Sequence, residues 1–526
     1  MTRPAGWVAL ALLVCCAALL GLAVDAQRGG WSAADGAPGA TAAGAPMPAT
    51  VSRAPRVAYV GPRNLSGPAV LRARVQGRGA KLAAVTFLLD NEPLGTDATP
   101  PYTLDVDGAL LPPGRHRIRV AAVDRLGARA TGHAVPVSVS GGSGAFLEAS
   151  PSRGLDGALA ALARGGASVR LAPGRYVLPH LELGSGARLI GAGPKTELVA
   201  AGAGWSLITA SGHGVRISDL SIDGGGRTDR AIGVANGSRD VRIQRVRIAG
   251  IRRTGVEIWG RHVDVSIQDS TIDGGGRASG AGVFALGSDE SRDTSVIRTR
   301  ITGFRSHGIN FAQRAYDRPR AALDSLALDN RISAIDDPAA DSGTHEGGIW
   351  SGGVAAAIIG NRISDTGWDG IQTVGSSRRV AVVGNHVART GVGIYLEHET
   401  TSSVIARNEI VDVATGINVE WRYDDAGSSD NTFERNRIVR PRETGLFVDV
   451  AGDRNLIAGN LIVSGTGRAV VLQGASDNLV VGNRACARGE EEVVTQRSAH
   501  HDDGRAAHSL RNQLDANESV QRCSGL

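Results

Sequence analysis

The chain has 526 residues, a formal charge of +5 and a pI of about 9.3. Lys81 and Lys195 are its only lysines. The arginines are scattered singly (Arg242, Arg245, Arg247, Arg252, Arg253) and not interleaved with aromatics, which argues against nucleic acid as a partner and favours an acidic polysaccharide. Two methionines and no cluster of His, Met and Cys give no support to copper handling.

Arg3 precedes an apolar run from Trp7 to Val24, and Val24-Asp25-Ala26 suits cleavage before Gln27. Residues 1–26 are therefore expected to be a signal peptide, making the protein secreted or cell-surface. An uncleaved membrane anchor is the alternative, since the run is about as long as a bilayer requires, about 20 residues. Val14 before Cys15 does not suit lipoprotein processing. Residues 27–54 are Ala, Gly, Pro and Ser with almost no large apolar side chains, so they are read as a flexible linker.

Residues 55–140 show strand-like runs at about ten-residue spacing, which predicts a β-sandwich. Val85-Thr86-Phe87-Leu88-Leu89-Asp90 leads into a turn at Asn91–Gly95, Tyr102-Thr103-Leu104-Asp105 follows, and Pro113–Asp124 leads to Gly127. This pattern resembles bacterial Ig-like modules appended to secreted enzymes and adhesins. His116 is expected to pack on a strand, not to serve as a ligand.

Gly154–Ala163 is a short Ala/Leu-rich helix candidate. Leu171-Ala172-Pro173-Gly174-Arg175-Tyr176 follows, then Ala187–Gly193, a strand ending in G-x-G. Beyond them lies a repeat. Asn361, Asn385, Asn408, Asn436, Asn460 and Asn483 recur at intervals of 24, 23, 28, 24 and 23, each followed two residues on by Ile, Val or, at the last, Ala. A second column reads Gly370-Ile371, Gly393-Ile394, Gly416-Ile417 and Gly445-Leu446. Short β-branched runs punctuated by Gly, Asn and Asp at this period predict a parallel β-helix of ten or eleven coils from Val215 to Asn483. The Asn residues are read as a structural ladder at an inward bend. Helix, L-x-P-G-x-Y and G-x-G together resemble the start of secreted right-handed β-helix proteins of the pectate-lyase-like superfamily. That resemblance implies an all-β right-handed parallel β-helix over 145–485, its end capped by the helix, with residues 486–526 as a C-terminal tail or cap. If the signal is removed, only Cys486 and Cys523 remain. A disulfide between them would pin the tail to the last coil, with two free thiols as the alternative.

Two coils carry insertions, Asp336–Gly348 and Trp421–Gly427, which rise on opposite edges of one sheet. Between them the residue after each Gly-Ile or its equivalent reads Glu257, Phe284, Asn310, Trp350, Gln372, Tyr395, Asn418 and Phe447. Aromatic rings stack on sugar faces and amides bond hydroxyls, so Trp350, Gln372, Tyr395, Asn418 and Trp421 are candidate substrate-binding residues. Two positions on, Trp259, Glu397, Glu420 and Asp449 form a second column. Carboxylates on adjacent coils would lie about 5 Å apart, close enough to raise one proton affinity for acid–base work, or to clamp a Ca²⁺. Glu397, Glu420, Asp369, His345 and Glu346 are the candidate catalytic groups.

The Asp-Pro-His-Asp motif of mannuronan epimerases and the Arg motifs of pectate lyases are absent; Asp369-Gly370-Ile371 only hints at the polygalacturonase pattern and Asp336-Asp337-Pro338 only echoes the epimerase one, so no single activity is carried over. The expectation is an exported, monomeric polysaccharide-active protein, a lyase, hydrolase or epimerase. The alternative is a non-catalytic glycan-binding or structural surface solenoid.

Overall fold

The computed structural model describes residues 54–76, 82–140, 146–287, 291–313, 324–336, 347–353, 355–420, 427–463, 468–486, 493–500 and 506–519. The expected signal peptide, nearly all of the expected linker, most of both insertions, and His345, Glu346, Trp421 and Cys523 lie outside them. No helix among the described residues is long and apolar enough to cross a membrane.

Residues 56–139 form a sandwich of a three-stranded and a six-stranded sheet. The inward positions of each strand meet in one core, with Leu65, Leu71, Val85, Phe87, Ile118 and Val120 fully buried. His116 stitches a hairpin: Nδ1 lies 2.7 Å from Asp90 Oδ2 and Nε2 lies 2.8 Å from the Pro112 carbonyl oxygen.

The rest of the chain is a parallel β-solenoid. One sheet of thirteen strands forms one face, and a sheet of twenty-seven strands, two per coil along most of its length, forms the others. The helix Leu155–Arg164 closes the first end, burying Ala158, Ala161 and Leu162 over the opening. Asp156 in its first turn and Arg164 in its last complement the helix dipole. Tyr176 is buried beside it, its hydroxyl donating to Ala172 O at 2.8 Å, which accounts for the L-x-P-G-x-Y pattern.

The Asn column is a continuous amide ladder. Asn408 Nδ2 donates to Asn436 Oδ1 at 2.9 Å and to Val382 O at 2.9 Å, while its Oδ1 accepts from the Asn385 backbone N–H and side chain. The same geometry repeats from Asn330 to Asn517. A second ladder runs through Asn431, Asn455, Asn478 and Asn512, five residues ahead of the first. Both ladders extend one coil beyond the expected end. Gln513–Asp515 pairs with Leu479–Val481, and Glu518 and Ser519 with Arg484 and Ala485, so residues 513–519 continue the solenoid. Cys486 is buried and disulfide-bonded.

The Gly column has a steric cause. A Cβ at Gly348, Gly370 or Gly393 would come within 2.4, 2.3 or 2.4 Å of the Ile363, Val387 or Ile410 side chain, so only glycine lets these strands close over the core.

The coil corners adopt left-handed backbone at Gly, and also at Asp and Arg. A non-Gly residue there costs about 1 kcal/mol. At six corner steps an Arg pairs with the Asp of the preceding coil through two hydrogen bonds: Arg245 to Asp219, Arg298 to Asp269, Arg389 to Asp365, Arg440 to Asp412, Arg454 to Asp430 and Arg511 to Asp477. The ion pair offsets the corner's strain.

The Ig-like module packs against the side of the solenoid. Ala83, Ala84 and Val123 cover Ile297, Leu326, Leu328, Ala357 and Ile359. Gln268 caps the module's sheet edge, accepting from Thr96 N–H at 2.8 Å and donating to Thr96 O at 2.6 Å. Arg129 reaches Asp329 at 2.6 and 3.0 Å, where the next coil offers Gly360. The module thus supplies the cation of one corner pair.

Candidate active site

The column read from the sequence is one register line of the thirteen-stranded sheet. Glu257 pairs with Phe284, then Asn310, Trp350, Gln372, Tyr395, Asn418 and Phe447 follow on successive strands. Each preceding Ile or Leu turns into the core, so these side chains turn away from it. They do not form an open platform. Gln372 is 2% exposed and Tyr395 1%, so Tyr395 is a buried, hydrogen-bonded residue and not the exposed stacking surface expected of it. Trp350 and Asn418 are half-buried.

The carboxylates sit where the strands end. Glu397 N–H bonds Thr373 O, Glu420 N–H bonds Leu396 O and Asp449 N–H bonds Val419 O, so the backbone ladder stacks the three on consecutive coils. Glu397 and Glu420 are held by the column beside them, and Asp449 by the next residue of its own column. Gln372 Nε2 donates to Glu397 Oε2 at 2.9 Å, and the Tyr395 hydroxyl donates to Glu420 Oε2 at 2.5 Å. Asn418 Nδ2 reaches the same Glu420 oxygen at 3.3 Å, and Gln473 Nε2 donates to Asp449 Oδ1 at 3.0 Å. His398 Nε2 lies 3.3 Å from Glu397 Oε1. Burial pushes the Asp449 carboxyl above the usual carboxylate range, opposed by the Val450 N–H and Gln473 bonds, and the Glu420 charge adds to the rise.

The amide oxygens of Asn310, Gln372 and Asn418 are buried and accept no hydrogen bond from the described residues. Three amide acceptors thus lie along one register line without a donor among the described residues. No group of three or more His, Cys, Asp or Glu among the described residues is arranged to hold a metal ion.

Asp369 stands apart from the carboxylate row. It begins the strand Asp369–Val374 and is fully buried, five residues and about 16 Å of strand from the row. Its register line reads His307, Gly347, Asp369. A Cβ on Gly347 would touch His307 Cδ2 at 3.8 Å and Asp369 Cβ at 3.7 Å, so the missing side chain leaves the space between the two residues unfilled by Gly347. Trp350 stands edge-on to the His307 ring at 6.2 Å, and Ser306 Oγ lies 2.6 Å from His307 Nδ1. His307 was legible as the residue before Gly308-Ile309, in the same place as Asp369 before Gly370-Ile371.

Residues 281–423 and 329–485 match the family model for a right handed beta helix region, and residues 55–120 match the bacterial Ig domain. The solenoid is a right-handed parallel β-helix. Several solved structures are similar to this β-helix protein. The family 28 exopolygalacturonase of Yersinia enterocolitica is 13% identical over 88% of this chain and 99% of its own, with a TM-score of 0.45. The catalytic domain of a GH87 α-1,3-glucanase is 14% identical over 88% and 91%, with a TM-score of 0.43. The polygalacturonase of Erwinia carotovora ssp. carotovora is 15% identical over 72% and 96%, with a TM-score of 0.36. No curated protein is similar to the chain at a significant level. None of these likenesses transfers a residue's role to this chain.

Proposed function

We propose that this β-helix protein is an exported polysaccharide-active enzyme that works by general acid–base chemistry at Glu397, Glu420 and Asp449. One observation carries the reading: three carboxylates stacked on consecutive coils, Glu397 and Glu420 oriented by an amide and a phenol from the adjoining register line and Asp449 by the amide of Gln473, next in its own line. Carboxylates at strand spacing, one with raised proton affinity, form the split pair that glycosidic chemistry uses. Asp449, whose proton affinity burial raises, is the acid. Glu420, held by the Tyr395 hydroxyl, is the base. The amide oxygens of Asn310, Gln372 and Asn418 would accept sugar hydroxyls, and Trp350 offers the ring face beside them. Export rests on the apolar run from Trp7 to Val24 and the small residue at Ala26.

The test is incubation of the mature protein with neutral and acidic polysaccharides, with and without Ca²⁺, following reducing ends and the absorbance of unsaturated uronate. Reducing ends without new absorbance mean hydrolysis, and both signals together mean elimination. In an enzyme, Glu420→Gln abolishes turnover and spares binding. If neither signal appears with any polysaccharide, and NMR of the recovered glycans shows no epimerised sugars, the proposal fails and a glycan-binding solenoid takes its place.

A further inference from the structure

The Arg–Asp pairing at the coil corners shows how this solenoid manages its arginines, and one row departs from it. Arg300, Arg331 and Arg362 begin consecutive strands and lie in a single register line. All three are exposed, and no carboxylate of the described residues pairs with any of them. Like charges directly opposite one another on neighbouring strands are destabilising. A second row, Arg188, Arg216 and Arg242, has the same stacking but is compensated: Arg216 pairs with Asp240 at 2.7 Å and Asp105 at 3.4 Å, and Arg242 lies 3.4 Å from Asp240. The free row is therefore not a requirement of the fold.

It borders a groove of about 280 Å³ that also takes in Ser333, Ser364 and His386. Thr302, Ser333 and Ser364 form a parallel line of hydroxyls two residues along the strands. The row ends at His386, whose Nδ1 lies 3.0 Å from Glu409 Oε2 on the following coil. The groove lies on the strands that precede the thirteen-stranded sheet in each coil, on a face distinct from the carboxylate row.

We propose that Arg300, Arg331 and Arg362 form a docking track for an acidic polysaccharide. Their guanidinium groups repeat at the strand spacing of about 4.8 Å. A chain with one carboxylate or sulfate per sugar ring presents anions at a comparable repeat, and the hydroxyl line accepts and donates to the sugars beside them. Single-stranded nucleic acid would need a succession of stacking rings, and the groove holds only the one imidazole of His386 at its end. Duplex DNA carries a charge about every 1.7 Å of axis around a cylinder, which a straight row of three does not follow. The track stands whether or not the carboxylate row is catalytic.

The test is affinity electrophoresis of the full chain through gels containing polygalacturonate, with neutral dextran as the blank and duplex DNA as the competing polyanion. The variant Arg300→Gln/Arg331→Gln/Arg362→Gln should bind polygalacturonate about tenfold more weakly, the sum of three exposed ionic contacts. The three-lysine variant should recover part of that loss. A charge-matched control, Arg435→Gln/Arg440→Gln/Arg511→Gln, should bind as the parent does. The proposal is overturned if the parent does not bind, if the track variant binds like the parent, if the control loses as much, or if DNA binds more tightly at equal charge.

Discussion

Tyr395 and Glu420 are joined diagonally across one coil step, the phenol of the middle column closing on the carboxylate of the end column at 2.5 Å. The tyrosine ring is buried and cannot leave, so the carboxylate is held by a group that is itself immobile. Tyr395→Phe keeps the ring and removes the bond. It should lower kcat/KM on the polysaccharide identified by the substrate panel about tenfold or more, with stability down by about 1 kcal/mol. A variant with unchanged kcat/KM would show that Glu420 needs no such support.

The amide ladder concentrates stability in its middle. Asn408→Leu would strip the Asn385 backbone N–H and side chain of an acceptor and the Val382 carbonyl of a donor. Unsatisfied buried groups cost about 1–3 kcal/mol each, so a loss of about 3 kcal/mol or more is expected in chemical denaturation. Asn517→Leu, at the half-exposed last rung, should cost much less.

Asp264 gives a pH test. Burial pushes its carboxyl up to about 6, only partly opposed by Arg242. Its folded proton affinity is raised above the unfolded one, so the group favours folding below about pH 4 and loses that contribution as pH rises through 6. The full shift corresponds to about 3 kcal/mol, and partial exposure reduces this to about 1–2 kcal/mol. Asp264→Asn, which tolerates the same left-handed corner, should be more stable than the parent at pH 7.5 and no more stable at pH 4.

The Ig-like module should melt with the solenoid as one body while Gln268 holds Thr96. Gln268→Ala removes both bonds, at about 1–3 kcal/mol, and calorimetry should then resolve an earlier transition for the module. A single unchanged transition would assign the attachment to the remaining contacts, the apolar patch of Ala83, Ala84 and Val123 and the Arg129–Asp329 pair.

Much of this was legible in the residues. The Asn and Gly-Ile spacing placed the main ladder and the column from Glu257 to Phe447 in register, because a solenoid converts sequence period directly into neighbours. The second ladder was missed although Asn431, Asn455, Asn478 and Asn512 stand five residues before the first. Burial of Tyr395 was not legible, since alternation gives the direction of a side chain and not what covers it. The docking of the module left a faint trace. Leu326-Ala327-Leu328 and Ile358-Ile359 break alternation with unbroken apolar runs, the sign of a strand covered on both faces.

The alternation of Asp and Arg at the corners has a consequence for how the chain finds its stacking. Coils of a solenoid are nearly interchangeable, and a nascent chain could omit one and stack the next in its place. Along the line Asp365, Arg389, Asp412, Arg440 such a slip would set Asp365 beside Asp412 and Arg389 beside Arg440. Every correct neighbour attracts and every second neighbour repels. The corners therefore act as a parity check on assembly, rejecting a misthreaded coil at the point where it is laid down.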